Sequence, residues 1–388
     1  MSIRGAAYIA GVYEHPRREI PDRSLAQIHA EVAFGALSDA GLSMSDVDAY
    51  FCGDGPGLGG LSTADYLGIR PVFLDSTETG GSSYMAHVGH AAAAIAMGKC
   101  HVALVTLAGR PRSEKLGARS GRNFDNTPEG GFEEVFGGTL AGLYAMAARR
   151  HMYEYGTTSE QLAEVKVAAS LHAQHNPHAL LRKPLTAADV LNSPLISDPL
   201  HTYDCCVITD GGGAFVVVSP EVAKSLNRHC VAVLGECEVP KGVSAAPVDL
   251  THTGAVWSGP RAMAEAGVTP ADIDYASIYD SFTITVLLTL EDLGFIPKGR
   301  GGEFVASGAL RAPDGALPFN TDGGGLCSNH PGNRGGMTKV IEAVRQLRGE
   351  AHPAVQVPDC EIALAHGTGG SVGTRAVSAT LILGREAV

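Results

Sequence analysis

One pattern occurs in both halves of the chain: a glycine-rich turn runs into a helix-like segment and then into an apolar strand. It spans residues 79–107 in the first half and residues 333–370 in the second. We interpret this as a degenerate internal duplication. The run Ala91–Ala94 allows close packing on every side of the first of these helices. The pattern therefore predicts a central buried helix between sheets.

Helix-like and strand-like segments alternate along the whole chain, which is typical of layered α/β proteins. Predicted strands cover residues 7–12, 49–52, 102–107, 214–218, 229–234, 275–279, 361–365 and 380–383, and predicted helices cover 25–40, 82–97, 159–172, 262–266, 283–293 and 336–347. We predict two units, residues 1–225 and 226–388. A long polar loop region, residues 109–200, is inserted in the first unit.

Composition excludes several classes of protein. A chain of 388 residues exceeds one ordinary core of about 150 residues. Its net charge of −12 disfavours nucleic acid or an anionic membrane as the main partner. No apolar stretch approaches the ~20 residues of a membrane helix, and the N-terminus lacks a secretory pattern. Eight cysteines without CxxC spacing favour reduced thiols, and hence a cytoplasmic protein.

A glycine-rich segment, residues 320–336, surrounds His330 and precedes a helix. Glycine lets backbone N–H groups approach a ligand closely. A histidine just outside a helix N-terminus has a lowered pKa, which favours the neutral, hydrogen-bonding form. We predict His330 as an active-site residue; the alternative is a structural turn that carries an incidental histidine.

Two further segments place polar side chains at the ends of strands. His366 ends an apolar strand, where α/β enzymes place functional loops. Asp280 stands between a strand and a helix and can serve as a helix cap, whereas Tyr279 can point into a pocket.

A local excess of positive charge marks the start of the loop region. Residues 110–122 contain one acidic residue, Glu114, and five basic residues: Arg110, Arg112, Lys115, Arg119 and Arg122. This is either a solvated loop or a site for the phosphates of an anionic ligand.

Weaker patterns suggest other chemistry. The glycines of residues 53–60, followed by Asp75, superficially match a dinucleotide fingerprint, although Pro56 interrupts the loop. His172 and His175 share a helix face, as metal ligands can. Cys205 and Cys206 are interpreted as packing residues rather than nucleophiles.

Four stretches together resemble thiolases, especially the branch related to sterol carrier protein X thiolase. The run from Asn320 to Gly332 resembles the Gly-His-Pro loop. Residues 202–219 resemble the segment that enters the last strand of the first half. Residues 278–295 resemble the His-Asp-x-Phe segment, with Tyr279 where histidine is common, and residues 365–370 resemble the C-terminal His-Asn-x-Gly-Gly loop.

The resemblance implies a duplicated five-layered α-β-α-β-α fold, a homodimer and an acyl-CoA substrate. It implies no metal and no cofactor other than coenzyme A as part of the substrate. The cations of residues 110–122 are then expected at the CoA. Four glycines are expected to bring backbone N–H groups to it: Gly323, Gly324, Gly369 and Gly370.

The chain departs from the family at both catalytic cysteines. The resemblance places the nucleophile at Gly81 and the second cysteine at Gly367. Ser82 and Ser83 lie beside the first position, but a hydroxyl needs a dedicated base. The resemblance implies that His330 stabilises a thioester enolate, with His366 or Tyr279 handling the proton. Steroid side-chain aldolases of the family work with a zinc-ribbon/OB-fold partner, and they carry Tyr where this chain has His330.

We therefore predict a thiolase-superfamily enzyme that acts on a lipid-derived acyl-CoA. Acyl transfer by thiolysis and retro-aldol cleavage both stay open, and the missing thiols favour the second. A non-catalytic acyl-CoA-binding protein is the alternative class, followed by a nicotinamide oxidoreductase.

Overall fold

A computed structural model describes residues 2–53, 55–116, 138–242, 248–332, 335–373 and 375–386. The strands are β1 Tyr8–Glu14, β2 Ala49–Phe51, β3 Phe73–Asp75, β4 Val102–Gly109, β5 Leu195–Ser197, β6 Leu200–His201, β7 Gly211–Val218, β8 Val231–Lys241, β9 Tyr275–Ile278, β10 Ile362–Gly369 and β11 Ala376–Gly384. The helices are α1 Leu25–Ala40, α2 Gly60–Leu67, α3 Ser83–Ala96, α4 Leu140–Tyr155, α5 Ser159–Ala173, α6 Ala187–Leu191, α7 Pro220–Ser225, α8 Ala255–Ala266, α9 Thr283–Asp292, α10 Gly301–Ala306 and α11 Gly336–Arg348.

The same strand pairing occurs twice. In the first half, β2 is parallel to β4, β4 is antiparallel to β7, and β7 is antiparallel to β1. In the second half, β9, β10, β11 and β8 repeat these three pairings in the same order. An isolated parallel bridge from Ala276 to Phe319 stands beside β9 where β3 stands beside β2. The predicted duplication is therefore confirmed.

Two central helices separate the halves of the sheet. Both α3 and α11 contact strands of the first half and of the second half, and they also contact each other. On the outer faces, α1 packs on β1, β4 and β7, and α8 packs on β8 and β11. Antiparallel pairing of β1 with β8 joins the halves into one nine-stranded sheet. The layers follow the predicted α-β-α-β-α order.

Alanines let the central helix α3 be covered on every side. Ala91, Ala92 and Ala94 are fully or almost fully buried and belong to the core cluster that α3 shares with α11 and both half-sheets. The helix α5 begins at the predicted capping box. Thr158 Oγ1 accepts from the Gln161 amide at 3.3 Å, and Gln161 Oε1 accepts from the Thr158 amide at 3.0 Å.

Residues 109–200 contain more regular structure than the predicted loop region. Besides the predicted α5, the segment holds α4, α6 and the β5–β6 hairpin. The helix α4 was missed because arginines and other polar residues occupy much of it, although it buries Tyr144, Ala148 and His151. Within the described ranges, no helix has the length and apolar character to cross a membrane.

The contact between the two central helices generates a stability prediction. An added Cβ at Gly336 would lie 1.8 Å from the carbonyl oxygen of Gly81. We expect Gly336→Ala to lower the free energy of unfolding by about 1–3 kcal/mol, because backbone atoms must move to accept the methyl group. The matched control is Gly138→Ala, where no atom lies within 4 Å of the added Cβ. Equal urea midpoints for the two variants would contradict the prediction.

Candidate active site

A π-helical turn, Gly324–Ser328, carries the chain to His330. Positive φ angles at Gly323 and Gly324 form the turn. The buried carboxylate of Asp280 accepts hydrogen bonds from the amides of Gly325 at 2.8 Å and Leu326 at 3.0 Å. Asp280 thus holds this turn, rather than capping α9 as the simplest sequence interpretation allowed.

His330 and Tyr279 form a buried pair. Their Nε2 and Oη atoms are 2.8 Å apart, and the two side chains belong to residues that are only 5% and 4% exposed. The His330 amide donates to Thr209 Oγ1 at 2.9 Å, and Thr209 in turn donates to the Asn329 side chain. Two sequence-predicted residues that are 51 positions apart are therefore brought into contact.

Both members of the pair are uncharged. Burial is the main cause that lowers the pKa of His330 to about 4, and nearby Lys339 lowers it further while Asp280 opposes the shift. The predicted direction is confirmed, with burial as the principal cause. Burial also raises the pKa of Tyr279 well above its usual value. A neutral imidazole and a protonated phenol can each donate or accept, so either atom can be the donor in this hydrogen bond.

The ring of Tyr279 fills the space beside Gly81, where the family's nucleophile is expected. A Cβ at Gly81 would lie 2.2 Å from Tyr279 Cε2 and 2.6 Å from the carbonyl oxygen of Thr368. A Cβ at Gly367 would lie 2.5 Å from the Gly81 oxygen and 2.8 Å from the Ser82 Cα. Neither position can hold a cysteine side chain without displacing its neighbours.

Ser82 and Ser83 bond to the turn that precedes α3. Ser82 Oγ donates to the Thr79 carbonyl at 2.8 Å, and Ser83 Oγ accepts from the Thr79 amide at the same distance. Both serines are fully buried. In the described part of the chain, no histidine hydrogen-bonds either hydroxyl.

His366 points to the opposite face of the sheet from Gly81. Gly367 faces Gly81 and Ser82, and neighbouring residues of a strand face opposite sides. His366 Nδ1 bonds Thr380 Oγ1 at 2.9 Å, and burial lowers the pKa of the imidazole to about 3. The Tyr279 amide donates to the His366 carbonyl at 2.9 Å, so the two residues meet through their backbones. Among the described residues, the His366 imidazole makes no hydrogen bond to the side chain of His330 or Tyr279.

The basic segment begins beside the His330 loop. A Cβ at Gly109 would lie 3.2 Å from the Pro331 oxygen. Arg110 pairs with Glu114 at 2.9 Å and Arg112 with Glu19 at 3.4 Å, while Lys115 is exposed. Arg119 and Arg122 lie outside the described residues.

The four glycines predicted near the CoA make close contacts within the protein. An added Cβ would meet Ala173 Cβ at Gly323, Asp280 Oδ2 at Gly324, the Thr79 oxygen at Gly369 and the Arg375 oxygen at Gly370, at 2.6, 2.2, 1.5 and 1.8 Å respectively. Their small size is thus required by the fold, and contact with CoA stays a prediction.

Two buried lysines that contact the site were not predicted from the sequence. Lys339 Nζ lies 2.9 Å from Asp280 Oδ1, and Lys166 Nζ donates to the Leu326 carbonyl at 2.5 Å. Lys339 occupies the buried face of α11 together with Val340 and Ile341. The helix also buries Thr338, Glu342 and Gln346, so no apolar face of α11 singles out the lysine in the sequence.

Other candidate groups lie elsewhere. The described residues contain no cluster of His, Cys, Asp and Glu able to hold a metal ion. His172 Nε2 instead accepts from the Ala312 amide at 2.8 Å, and Asp75 bonds His90. A surface cavity of about 460 Å³ lies between α4 and β5, lined by residues such as Met146 and Tyr153.

Comparisons with known proteins agree with this architecture. Residues 240–385 match a family model described as thiolase C-terminal domain-like. The chain is 34% identical over 384 residues to an acetyl-CoA acetyltransferase of Methanothermobacter thermautotrophicus, covering 95% of this chain and 97% of that protein. It is 36% identical over 366 residues to the 17-hydroxy-3-oxo-4-pregnene-20-carboxyl-CoA lyase of Mycobacterium tuberculosis, covering 89% and 92%. A solved structure titled Ltp2-ChsH2(DUF35) aldolase superposes with a TM-score of 0.86 at 34% identity over 98% of both chains. The chain therefore belongs to the thiolase superfamily of enzymes.

Proposed function

We propose that this protein cleaves a carbon–carbon bond of a lipid-derived 3-hydroxyacyl-CoA by a retro-aldol reaction. The observation that carries the proposal is the position of Tyr279, whose ring fills the space beside Gly81 and whose hydroxyl lies 2.8 Å from His330 Nε2. This arrangement offers a proton acceptor and donor where thiolases need a thiolate. The lyase and aldolase relatives support the same reaction class.

The proposed reaction begins at the 3-hydroxyl group of the substrate. Tyr279 Oη takes the hydroxyl proton while its own proton passes to His330 Nε2. The C3–O bond becomes a carbonyl, and the C2–C3 bond breaks with its electron pair moving into a thioester enolate. The imidazolium formed at His330 stabilises the negative enolate oxygen. Return of the proton to C2 gives the shortened acyl-CoA and releases a ketone or aldehyde.

Thiolytic acyl transfer is the second candidate, and the acetyltransferase relatives favour it. It requires a nucleophile that takes the acyl group. Ser82 and Ser83 are the hydroxyls near the family's position, but both bond Thr79 rather than a base. A serine hydroxyl without a base is a weak nucleophile. This contrast makes the retro-aldol reaction the stronger proposal.

A role for His366 in proton transfer stays a prediction with less support than the role of Tyr279. Its Nδ1 is occupied by Thr380, and it faces away from Gly81. Movement of His366 into the site would require a change in the β10 strand.

Coenzyme A is proposed to bind at the basic segment. The pairs Arg110–Glu114 and Arg112–Glu19 are partly exposed. Exposed pairs contribute only about 0–1 kcal/mol, so phosphate groups can replace the carboxylates at small cost.

Two protein partners are proposed. A homodimer is supported by the edge strand β3, whose surroundings expose Leu58, Leu61, Val72 and Leu74. A second, different protein as partner is supported by the solved structure titled Ltp2-ChsH2(DUF35) aldolase and by a relative from Thauera aromatica named as a benzoylsuccinyl-CoA thiolase subunit. The zinc-ribbon/OB-fold type of this partner is proposed from the family resemblance. A cytoplasmic location stays a prediction.

The reaction class can be tested by supplying or withholding free CoA. We expect cleavage of 3-hydroxyacyl-CoA thioesters without added CoA, because a retro-aldol reaction needs no acyl acceptor. A panel of 3-hydroxyacyl-CoA and 3-ketoacyl-CoA substrates, followed by chromatography of the products, measures this. Cleavage that depends strictly on free CoA would sink the retro-aldol proposal and favour thiolysis.

The two paired residues should each be needed for turnover. We expect Tyr279→Phe and His330→Ala to lower kcat by roughly 10²–10³-fold, the usual effect of removing one stabilising donor. CoA affinity, measured by calorimetry, should be nearly unchanged. The matched control is His172→Gln, which alters a buried histidine whose Nε2 bonds only the Ala312 amide. Undiminished turnover in His330→Ala would remove His330 from the chemistry.

The pKa of His330 sets the expected pH dependence. Its neutral form accepts the proton, and its pKa is about 4, so protonation becomes extensive only near that pH. We expect kcat/KM to stay level from about pH 8 to about pH 5.5 with respect to this group and to fall as the pH approaches 4. An acid limb centred near 6.5, the ordinary histidine value, would contradict this assignment.

A further inference from the structure

A buried ion pair lies next to the His330–Tyr279 pair, since one of its members, Asp280, follows Tyr279 in the chain. Lys339 Nζ is 2.9 Å from Asp280 Oδ1, and the two side chains are 1% and 0% exposed. Desolvating two charges costs several kcal/mol for each, so a buried pair persists only with good geometry and additional hydrogen bonds. The contacts of Asp280 supply those hydrogen bonds on the carboxylate side, whereas Lys339 Nζ makes no further hydrogen bond among the described residues, so its place in the core depends on Asp280.

The Asp280 carboxylate uses both oxygens to hold the π-helical turn. Oδ1 accepts from the Gly325 amide and Oδ2 from the Leu326 amide. The fit is close, because a Cβ at Gly325 would lie 3.1 Å from Asp280 Oδ1 and 2.9 Å from His330 Cδ2. A single glycine therefore separates the carboxylate from the His330 ring.

Asp280 also fixes the backbone that carries Tyr279. Asp280 follows Tyr279 directly in the chain. On the other side, the Ile278 amide donates to Asn320 Oδ1, and the Asn320 side-chain amide donates to the Ile278 carbonyl, both at 2.8 Å. Tyr279 thus lies between two residues whose positions are set by buried contacts.

We propose that Lys339 is a positioning residue for the reaction. Its ammonium group lies 2.9 Å from Asp280 Oδ1 and supplies the counter-charge of this buried carboxylate, which holds both the backbone next to Tyr279 and the turn that leads to His330. Without the ammonium group the buried carboxylate has no counter-charge, which favours movement of the Asp280 side chain and loss of its two amide partners. In this proposal, the 2.8 Å separation of Tyr279 Oη and His330 Nε2 depends on the ion pair and on the two amide hydrogen bonds of Asp280.

The carboxyl groups near Lys339 favour the charged form of its side chain. Although burial alone would lower it, Asp280 and Asp322 hold the pKa of Lys339 above its usual value. Two further carboxyl groups lie near this lysine, and burial raises the pKa of Asp322 and raises that of Glu342 to about 7. The proposed role of Lys339 in turnover rests on the proposed function. The contacts of Lys339 and Asp280 do not depend on that function.

The experiment compares three variants with the wild type: Lys339→Met, Asp280→Asn and the double variant. We expect each to lower kcat by about 10–100-fold while KM changes less than about threefold, since the substrate contacts are not removed. The double variant removes both charges and should be more stable than Lys339→Met. Its kcat should nevertheless stay low, because the neutral side-chain amide that replaces the carboxylate cannot accept two backbone N–H groups through separate oxygens.

The matched control is Lys241→Met. Lys241 is also a buried lysine, 4% exposed, and it donates to the carbonyl oxygens of Asp249, His252 and Val372. This variant should lose stability in urea unfolding while keeping kcat within about threefold of the wild type. Comparison with Lys339→Met separates a fall in kcat that is caused by lower stability from a fall caused by displacement of Tyr279 and His330.

Two outcomes would overturn the proposal. One is a kcat in the double variant that recovers together with its stability. The other is a crystal structure of any folded variant in which Oη and Nε2 remain 2.8 Å apart. The crystal structures do not depend on the reaction, so failure of the wild type to cleave 3-hydroxyacyl-CoA would contradict the proposed function alone.

Discussion

The contact of three backbone segments at Gly81 is the constraint on which the rest of the site depends. Gly81 lies in the turn that precedes α3, Gly336 begins α11, and Gly367 lies in β10. Added Cβ atoms at Gly336 and Gly367 would lie 1.8 and 2.5 Å from the same Gly81 oxygen. Such closeness is available only to glycine, so Gly81 and Gly367, where the family's cysteines are expected, are packing positions in this structure. The ring of Tyr279 then occupies the remaining space.

This packing favours one kind of chemistry over another. A thiolase needs a thiolate at a helix N-terminus, where the positive end of the dipole lowers the thiol pKa. Here the turn before α3 contacts backbone and an aromatic ring, and the proposed reactive groups are a phenol and a neutral imidazole that we propose are positioned by a buried ion pair. Those groups can move a proton and stabilise an enolate, which is what a retro-aldol reaction requires. The duplicated fold is kept, and in the proposed reaction Tyr279 and His330 act in place of a nucleophile.

Much of the fold followed from the sequence because its signals are local. Alternating apolar segments identified the long strands, and the repeated glycine turns identified α3 and α11. The short strand β3 and the helix α4 were missed, since three residues give little periodicity and α4 carries many polar residues. Helix and strand patterns cannot show that such elements gain their stability from tertiary packing.

The candidate site was predictable as a set of residues but only partly as a geometry. The glycine-rich segment marked His330, and the family pattern marked Tyr279. Their contact depends on how two half-sheets and two loops meet, which no local pattern records. The orientation of His366 was accessible from strand alternation, because Gly367 faces Gly81. Lys339 was missed because one lysine in an amphipathic helix usually extends to solvent.

The most direct measurement is a crystal structure of the protein with a non-cleavable 3-hydroxyacyl-CoA analogue. We predict the 3-hydroxyl oxygen within about 3 Å of Tyr279 Oη, with the thioester oxygen on the side of His330. We also expect no side chain in line with the thioester carbon. A structure in which Ser82 or Ser83 Oγ lies against that carbon, with Tyr279 remote from the 3-hydroxyl, would contradict the retro-aldol assignment.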